Sequence, residues 1–398
     1  MSYRKSTILA ATALATVVTV PAFAQSSSDG IDGGDIIVTA RRTEERLQDV
    51  PISMTVFNQE QLTQRNIAVA TDLAIYTPSL SVNQRYGPEK ASFSIRGFIQ
   101  DQSTAPTVGV YFAEVVGVRA QGGTTSGNSV GAGSFTDLEN VQVLKGPQGT
   151  LFGRNTTGGA VLLTPKKPNG NFEGYVEGTY GNFDQKRVQA ALNVPLAETF
   201  KVRVAMERNQ RDGYMKNVSG VGAKDYNDVN YTYARLSIVA DLTPDLENYT
   251  VFHYSDSDTK GYASRIIGCA TPATGLNTTA GTPGYSGTRH LQAASCVNQL
   301  ARQTARGDSL YEIESANRNP FLKIRQFQAI NTTTWNVSDN LTLKNIMSYG
   351  EFRERANFDL GSSFFTVAAV DPSPFPGDTR MGFLATRINP RLTTTGGA

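Results

Sequence analysis

The chain has 398 residues, with 37 Lys and Arg against 35 Asp and Glu. That balance excludes the basic footprint of a general nucleic-acid binder, and past the N-terminus no apolar run is long enough for a membrane-spanning helix. Hydrophobic residues make up 39%, and 37 glycines, 16 tyrosines and 19 phenylalanines suit β structure with many turns. A membrane barrel remains open, because its strands alternate lipid-facing and lumen-facing residues and dilute the hydropathy signal.

Residues 1–24 have the three parts of a secretory leader: Arg4 and Lys5, an apolar stretch over 8–20, and Ala22-Phe23-Ala24 as the cleavage site. Residues 25–46 form a flexible segment that begins rich in Ser, Asp and Gly. Within it Asp35, Ile36, Ile37, Val38, Thr39 and Ala40 make a β-prone run with no nearby partner, just ahead of Arg41-Arg42. Such a run suits edge addition to another protein's sheet; an ordinary first strand is the competing reading.

Residues 47–168 read as an α+β domain. A strand over 50–57 leads to a short helix over 59–65 capped by Asn58, and a second helix over 66–76 stops before Thr77-Pro78. A strand over 93–98 ends at Arg96-Gly97, a strand pair falls within 106–118, and a glycine-rich loop covers 121–133. The stretch 138–168 carries most of the pattern. An alternating strand with Val141 and Val143 ends at Lys145, and a β-branched or aliphatic run over 160–164 follows. Gly146, Pro147, Gly149, Gly153, Arg154, Asn155, Gly158 and Gly159 form the connection. There Pro147 fixes one turn, and the glycines permit positive φ or close backbone approach.

From residue 169 the pattern changes to long alternating strands at about 172–180, 185–194, 200–212, 229–241, 246–256, 322–336 and 341–354. Phe200, Val202, Val204 and Met206 lie on one face, Lys201, Arg203 and Glu207 on the other. One apolar and one charged face is the signature of an outer-membrane barrel. Connections alternate short and long, the longest over 258–320. Cys269 and Cys296 both fall in that loop, where export would let them close a disulfide; two unrelated thiols are the alternative. A plugged barrel of about 22 strands needs about 500 residues. That is more than twice the length remaining after residue 168, so the barrel is expected to be incomplete in this chain.

Four stretches resemble, in order, the plug domain of TonB-dependent outer-membrane receptors. They are LQDVPISMTVF at 47–57, SIRGF at 94–98, PTVGVY at 106–111 and LENVQVLKGPQGTLFGRNTTGGAVLLTPKKP at 138–168. Residues 35–40 resemble the TonB box in sequence and position. The resemblance implies a plug followed by antiparallel transmembrane β-barrel strands in the outer membrane of a Gram-negative cell. It implies energy-coupled uptake of a scarce small-molecule nutrient, by family default a ferric siderophore, with no cofactor beyond that cargo. The implied partners are TonB, acting with ExbB and ExbD, and outer-membrane lipid. Arg96, Lys145 and Arg154 are then expected to serve plug-to-barrel electrostatics, and Gly97 with the 146–159 glycines and Asn155 to serve plug turns. Two departures stand out. Ala113-Glu114 replaces the usual Asp-Gly, and Gln142 replaces a Glu before Val-Leu-Lys-Gly. If that Glu pairs with barrel arginines in relatives, the pairing is lost at Gln142. A truncated, non-transporting periplasmic plug and a passive porin-like channel are the alternative readings.

No catalytic or metal pattern competes. Residues 256–261 imitate a calcium loop, but Lys260 takes a ligand position. His253 and His290 are the only histidines and have no partner spacing, so His253 reads as a lumen residue.

Overall fold

The computed structural model describes residues 37–357, except 44, 85–86, 88–89, 101–103, 119–130, 269–286 and 316. The leader, Asp35, Ile36, Cys269, His290's side chain and residues 358–398 lie outside the described residues.

The first part is built on a five-stranded mixed sheet. Strands β1 (Ile37–Val38) and β2 (Glu45–Arg46) precede β3 (Met54–Asn58), followed by helices α1 (Gln59–Gln64) and α2 (Ala70–Tyr76). Then come β4 (Leu80–Asn83), β5 (Ser92–Ile95), β6 (Val108–Phe112), β7 (Val115–Val116), β8 (Leu138–Lys145), the single-turn α3 (Gly149–Phe152) and β9 (Gly159–Pro165). The sheet order is β3-β8-β9-β6-β7, with only β6 and β9 parallel.

Local chemistry sets the boundaries. Asn58 Oδ1 accepts the Gln61 N–H at 2.9 Å while Gln61 Oε1 accepts the Asn58 N–H at 3.1 Å, a capping box that starts α1. The second helix begins at Ala70, not 66. Asn66 turns left-handed (φ +49°), and Asp72 Oδ2 accepts the N–H groups of Ala68 and Val69 at 3.0 Å each. Likewise β3 begins at Met54, not 50, because residues 47–49 form a 3-10 turn and Pro51 has no N–H for a ladder. Gly159 is required: at φ +153° an added Cβ would lie 2.2 Å from the Leu144 carbonyl oxygen. Gly149 corrects the sequence expectation, since it opens α3 with open space around it and no positive φ.

The second part is a seven-stranded antiparallel wall, β10 (Glu173–Gly181), β11 (Gln185–Ala197), β12 (Phe200–Arg211), β15 (Val229–Thr243), β16 (Leu246–Thr259), β18 (Phe321–Ser338) and β19 (Leu341–Asn357). Its two long connections are more than loops. Strands β13 (Met215–Asn217), β14 (Asp225–Tyr226) and β17 (Glu312–Ile313) join into a small sheet, with Lys216 opposite Glu312 in parallel, and α4 spans Gly287–Arg306. Cys296 is disulfide-bonded, and Cys269 is the chain's one other cysteine.

The wall is inside-out relative to a water-soluble sheet. Arg187, Asn193, Arg203, Glu207, Arg235 and Gln328 are buried, while Val176, Val188, Met206, Phe252, Trp335 and Met347 are exposed. The buried polar face wraps the first domain, whose apolar core is completed by Val251 and Ile330 of the wall. His253 faces the same way, its ring 4.7 Å from that of Phe112.

The central polar contact is Asp137, 1% exposed. It accepts from Arg203 Nη2 (2.5 Å) and Nε (2.8 Å) and from Arg235 Nη2 (2.5 Å). Arg235 also donates to the carbonyls of Thr136 (2.9 Å) and Asp137 (2.7 Å). The Thr136 hydroxyl donates to Glu207, which takes Arg187 Nε at 2.8 Å and the Tyr231 hydroxyl at 2.6 Å. Removing one member of such a buried set leaves charge uncompensated. Asp137→Ala is expected to destabilise the domain–wall assembly by about 3–5 kcal/mol, read from denaturant midpoints; a wild-type midpoint would show that the set contributes nothing net.

Candidate functional site

The 35–40 run is docked, at least from Ile37 on. Ile37 and Val38 pair with Arg46 and Glu45, so the segment does have a local partner, contrary to the sequence expectation. Val38 and Ala40 are fully buried against Val50, Tyr111, Leu144, Phe152, Ala160 and Leu162. Fully burying a valine contributes about 2 kcal/mol.

Polar contacts fix the register. The Thr39 N–H donates to Gln142 Oε1 at 3.2 Å, and Gln142 Nε2 donates to Thr39 Oγ1 (3.3 Å) and Asn140 Oδ1 (2.9 Å). Gln142 is wholly buried. A carboxylate there could accept but not donate, so the departure from Glu suits this contact. The residue faces the 35–40 run, and the wall arginines are met by Asp137 instead.

Arg42 closes the segment. Its Nε donates to the Leu151 carbonyl at 2.9 Å, its guanidinium lies 5.0 Å from the Phe152 ring centre, and Nη1 is 3.9 Å from Glu114. Glu114 also pairs with Lys344 of β19. Ala113 and Glu114 both hold positive φ (+46° and +68°) at the β6–β7 turn, a conformation costing about 1–2 kcal/mol per L-residue. Glu114 thus ties the docked segment to the wall at the end where its strands are joined by short turns. Beside it, the Tyr111 hydroxyl donates to the Phe152 carbonyl at 2.5 Å; burial pushes this phenol's pKa up, with Arg42 opposing.

The expected roles of Arg96, Lys145 and Arg154 are not filled by the described wall. None of the three makes an ion pair among the described residues, whose domain-to-wall pairs run through Asp137, Lys90, Lys166, Lys167 and Glu114. Instead Arg96 and Lys145 lie near each other, and burial first, then the Arg96 charge, pulls the Lys145 pKa down. Arg96 (φ +53°) and Gly97 (φ +80°) turn the chain after β5. Asn155 is left-handed at φ +69°, and Pro147 lies in the short irregular link between the Gly146 bend and α3. The alternation in β12 marked Arg203 and Glu207 as inward. Asp137, Gln142 and Glu114 carried no local signal of what they would meet.

Residues 46–160 match the model of the TonB-dependent Receptor Plug Domain. The chain carries a TonB-dependent receptor plug. Relatives include the pesticin receptor of Yersinia pestis, 27% identical over 201 residues, covering 50% of this chain and 28% of the relative. The ferripyoverdine receptor of Pseudomonas aeruginosa is 26% identical over 234 residues, covering 56% and 26%. In fold the chain is similar to the ferric yersiniabactin uptake receptor FyuA from Yersinia pestis, with TM-score 0.57 and 17% identity, covering 77% of this chain and 42% of that one. The matched part of this chain spans about a quarter of the length of the pesticin and ferripyoverdine receptors. They are receptors, not enzymes.

If Gln142 holds the segment on the plug, Gln142→Leu, close in volume, removes both contacts to Thr39. Trypsin cleavage after Arg41 or Arg42 is then expected to rise about tenfold, the worth of two modest hydrogen bonds. Unchanged cleavage would show that burial of Val38 and Ala40 suffices alone.

Proposed function

We propose that the full-length protein is an outer-membrane receptor for TonB-coupled uptake of a scarce solute, most simply a ferric siderophore. The observation that carries the membrane reading is the inside-out wall around a plug: its apolar face would be unstable in water and is suited to lipid. The siderophore is supported by the names of two relatives, which bind or take up ferripyoverdine and ferric yersiniabactin. The leader over 1–24 supports export.

In this reading the short-turn end is periplasmic and the end bearing β13, β14, β17 and α4 faces outward. Cargo binds from outside between plug and outer connections. It can signal through the plug only by binding one plug state better than another. The state it favours is the one in which residues 35–40 leave Gln142 and the Val38 pocket. TonB, driven by ExbB and ExbD, then captures the freed run by strand addition. In this reading Arg96, Lys145 and Arg154 take carboxylates from further barrel strands.

Ile37→Pro removes a backbone donor from the run without touching the cargo side. The full-length variant is expected to keep cargo binding while losing uptake of radiolabelled iron complex by at least about tenfold. Uptake at the wild-type rate would point to a passive channel.

A further inference from the structure

The linker from plug to wall carries the chain's one Asn-Gly step, Asn169-Gly170, just ahead of β10. Gly170 is exposed, with nothing within 4 Å of where a Cβ would stand. With no side chain, its backbone nitrogen is open to approach.

The neighbouring carboxamide is held from several sides. Asn169 Oδ1 accepts the Asn171 N–H at 2.9 Å, an Asx turn that folds the side chain back over the Gly170 peptide. Asn193 of β11, wholly buried and opposite Glu173 in the ladder, meets the linker from the wall. Its Nδ2 shares two hydrogens among the carbonyls of Asn171 (2.6 Å) and Asn169 (2.9 Å) and Asn169 Oδ1 (3.1 Å). Its Oδ1 accepts the Asn169 N–H at 3.2 Å. Asn169 Nδ2 in turn donates to Glu173 Oε1 at 3.0 Å, and Lys166 Nζ stands 3.0 Å from the same oxygen.

These contacts have a direction. Donors meet the carboxamide oxygen, and a carboxylate paired with an ammonium meets its nitrogen. Negative charge that develops on Oδ1 when a nucleophile adds at Cγ finds donors already in place. The nitrogen that must leave already touches a group able to relay a proton from Lys166. The nucleophile adjoining it in sequence is Gly170 N.

We propose that Asn169 is a self-modification site, converting through a cyclic imide to aspartate and isoaspartate. Gly170 N bonds to Asn169 Cγ and gives its proton to water. The Cγ–Nδ2 bond breaks, and Nδ2 leaves as ammonia with a proton relayed from Lys166 through Glu173; the proton released to water restores Lys166. Water then opens the ring at either carbonyl, so that an amide and a water become an acid and ammonia. Neither cargo nor lipid takes part. The product sets a carboxylate against Glu173 where a donor stood, and like charges in contact repel. The isoaspartyl form also lengthens the backbone between plug and wall by a methylene. Conversion therefore loosens the fixed end of the plug as the protein ages.

The test follows the tryptic peptide over 167–186 by mass spectrometry while the full-length protein is kept folded in neutral detergent at neutral pH, with isoaspartate assigned by fragmentation. The other arm is the same protein unfolded in urea, where the Asn-Gly dipeptide acts alone. Conversion at Asn169 is expected to be at least about tenfold faster in the folded protein. N193L, close in volume, removes a donor from Oδ1 and is expected to slow it by at least about tenfold. E173Q, which cannot carry the proton, is expected to slow it about several-fold. A folded rate no higher than the unfolded one overturns the proposal. So does unchanged or faster conversion in N193L, since the wall contacts would then be neutral or protective. Should N193L fail to fold, E173Q carries the test: slower conversion supports the site, and unchanged or faster conversion overturns it.

Discussion

Asp137 receives two guanidinium groups from adjacent antiparallel strands in a space closed to water. Each arginine left alone there would carry a desolvation cost of several kcal/mol; together with the Thr136 and Asp137 carbonyls the carboxylate accepts five hydrogen bonds from them. The left-handed backbone at Asp137 (φ +52°) lets one residue offer both side chain and carbonyl to the wall. The wall's inside-out pattern follows from this contact. A polar stripe can be buried only if the plug supplies matching charge, and once it does, the opposite face is free to be apolar. Glu207, taking Thr136, Arg187 and Tyr231, extends the same logic one step along β12.

Much of this was legible beforehand, for a physical reason. Period-two alternation survives in any sheet with two unlike faces, so all seven wall strands appear in the sequence near their observed positions. The Asn58 cap and the turn at Arg96-Gly97 are equally local. What could not be seen are pairings across long separations. The small outer sheet joins segments about a hundred residues apart, and Gln142 meets Thr39 across a separation of 103. The two departures from the family pattern, Gln142 and Glu114, were visible as oddities, but their partners were not. Conversely, Arg96 and Lys145 looked like wall contacts because of their motifs, yet the described wall offers them no carboxylate.

The docked stretch over 37–40 is close to energetic balance. Burial of Val38 and Ala40 with two hydrogen bonds to Gln142 contributes about 4–5 kcal/mol, while ordering four residues costs about 4–8 kcal/mol. The β1–β2 pairing and the Arg42 contacts to Leu151 and Phe152 tip the sum toward docking. A segment so poised can be held or released by changes of one or two contacts, and Glu114 places one of those contacts within reach of the wall.

The sheet order β3-β8-β9-β6-β7 puts β3 at an edge, and β3 is the first main-sheet strand reached from residue 37. Any mechanical load applied at that end arrives at β3 before it reaches the strands behind it. The far side of the plug core is pinned to Val251 and Ile330, which belong to the wall. Sliding the plug out whole would strip these side chains from the core and break the Asp137 set together. Peeling β3 from β8 breaks one ladder of five residue pairs. Under tension this architecture therefore yields sequentially from the segment inward, unravelling as a thread from a hem while the part nearest the wall stays seated.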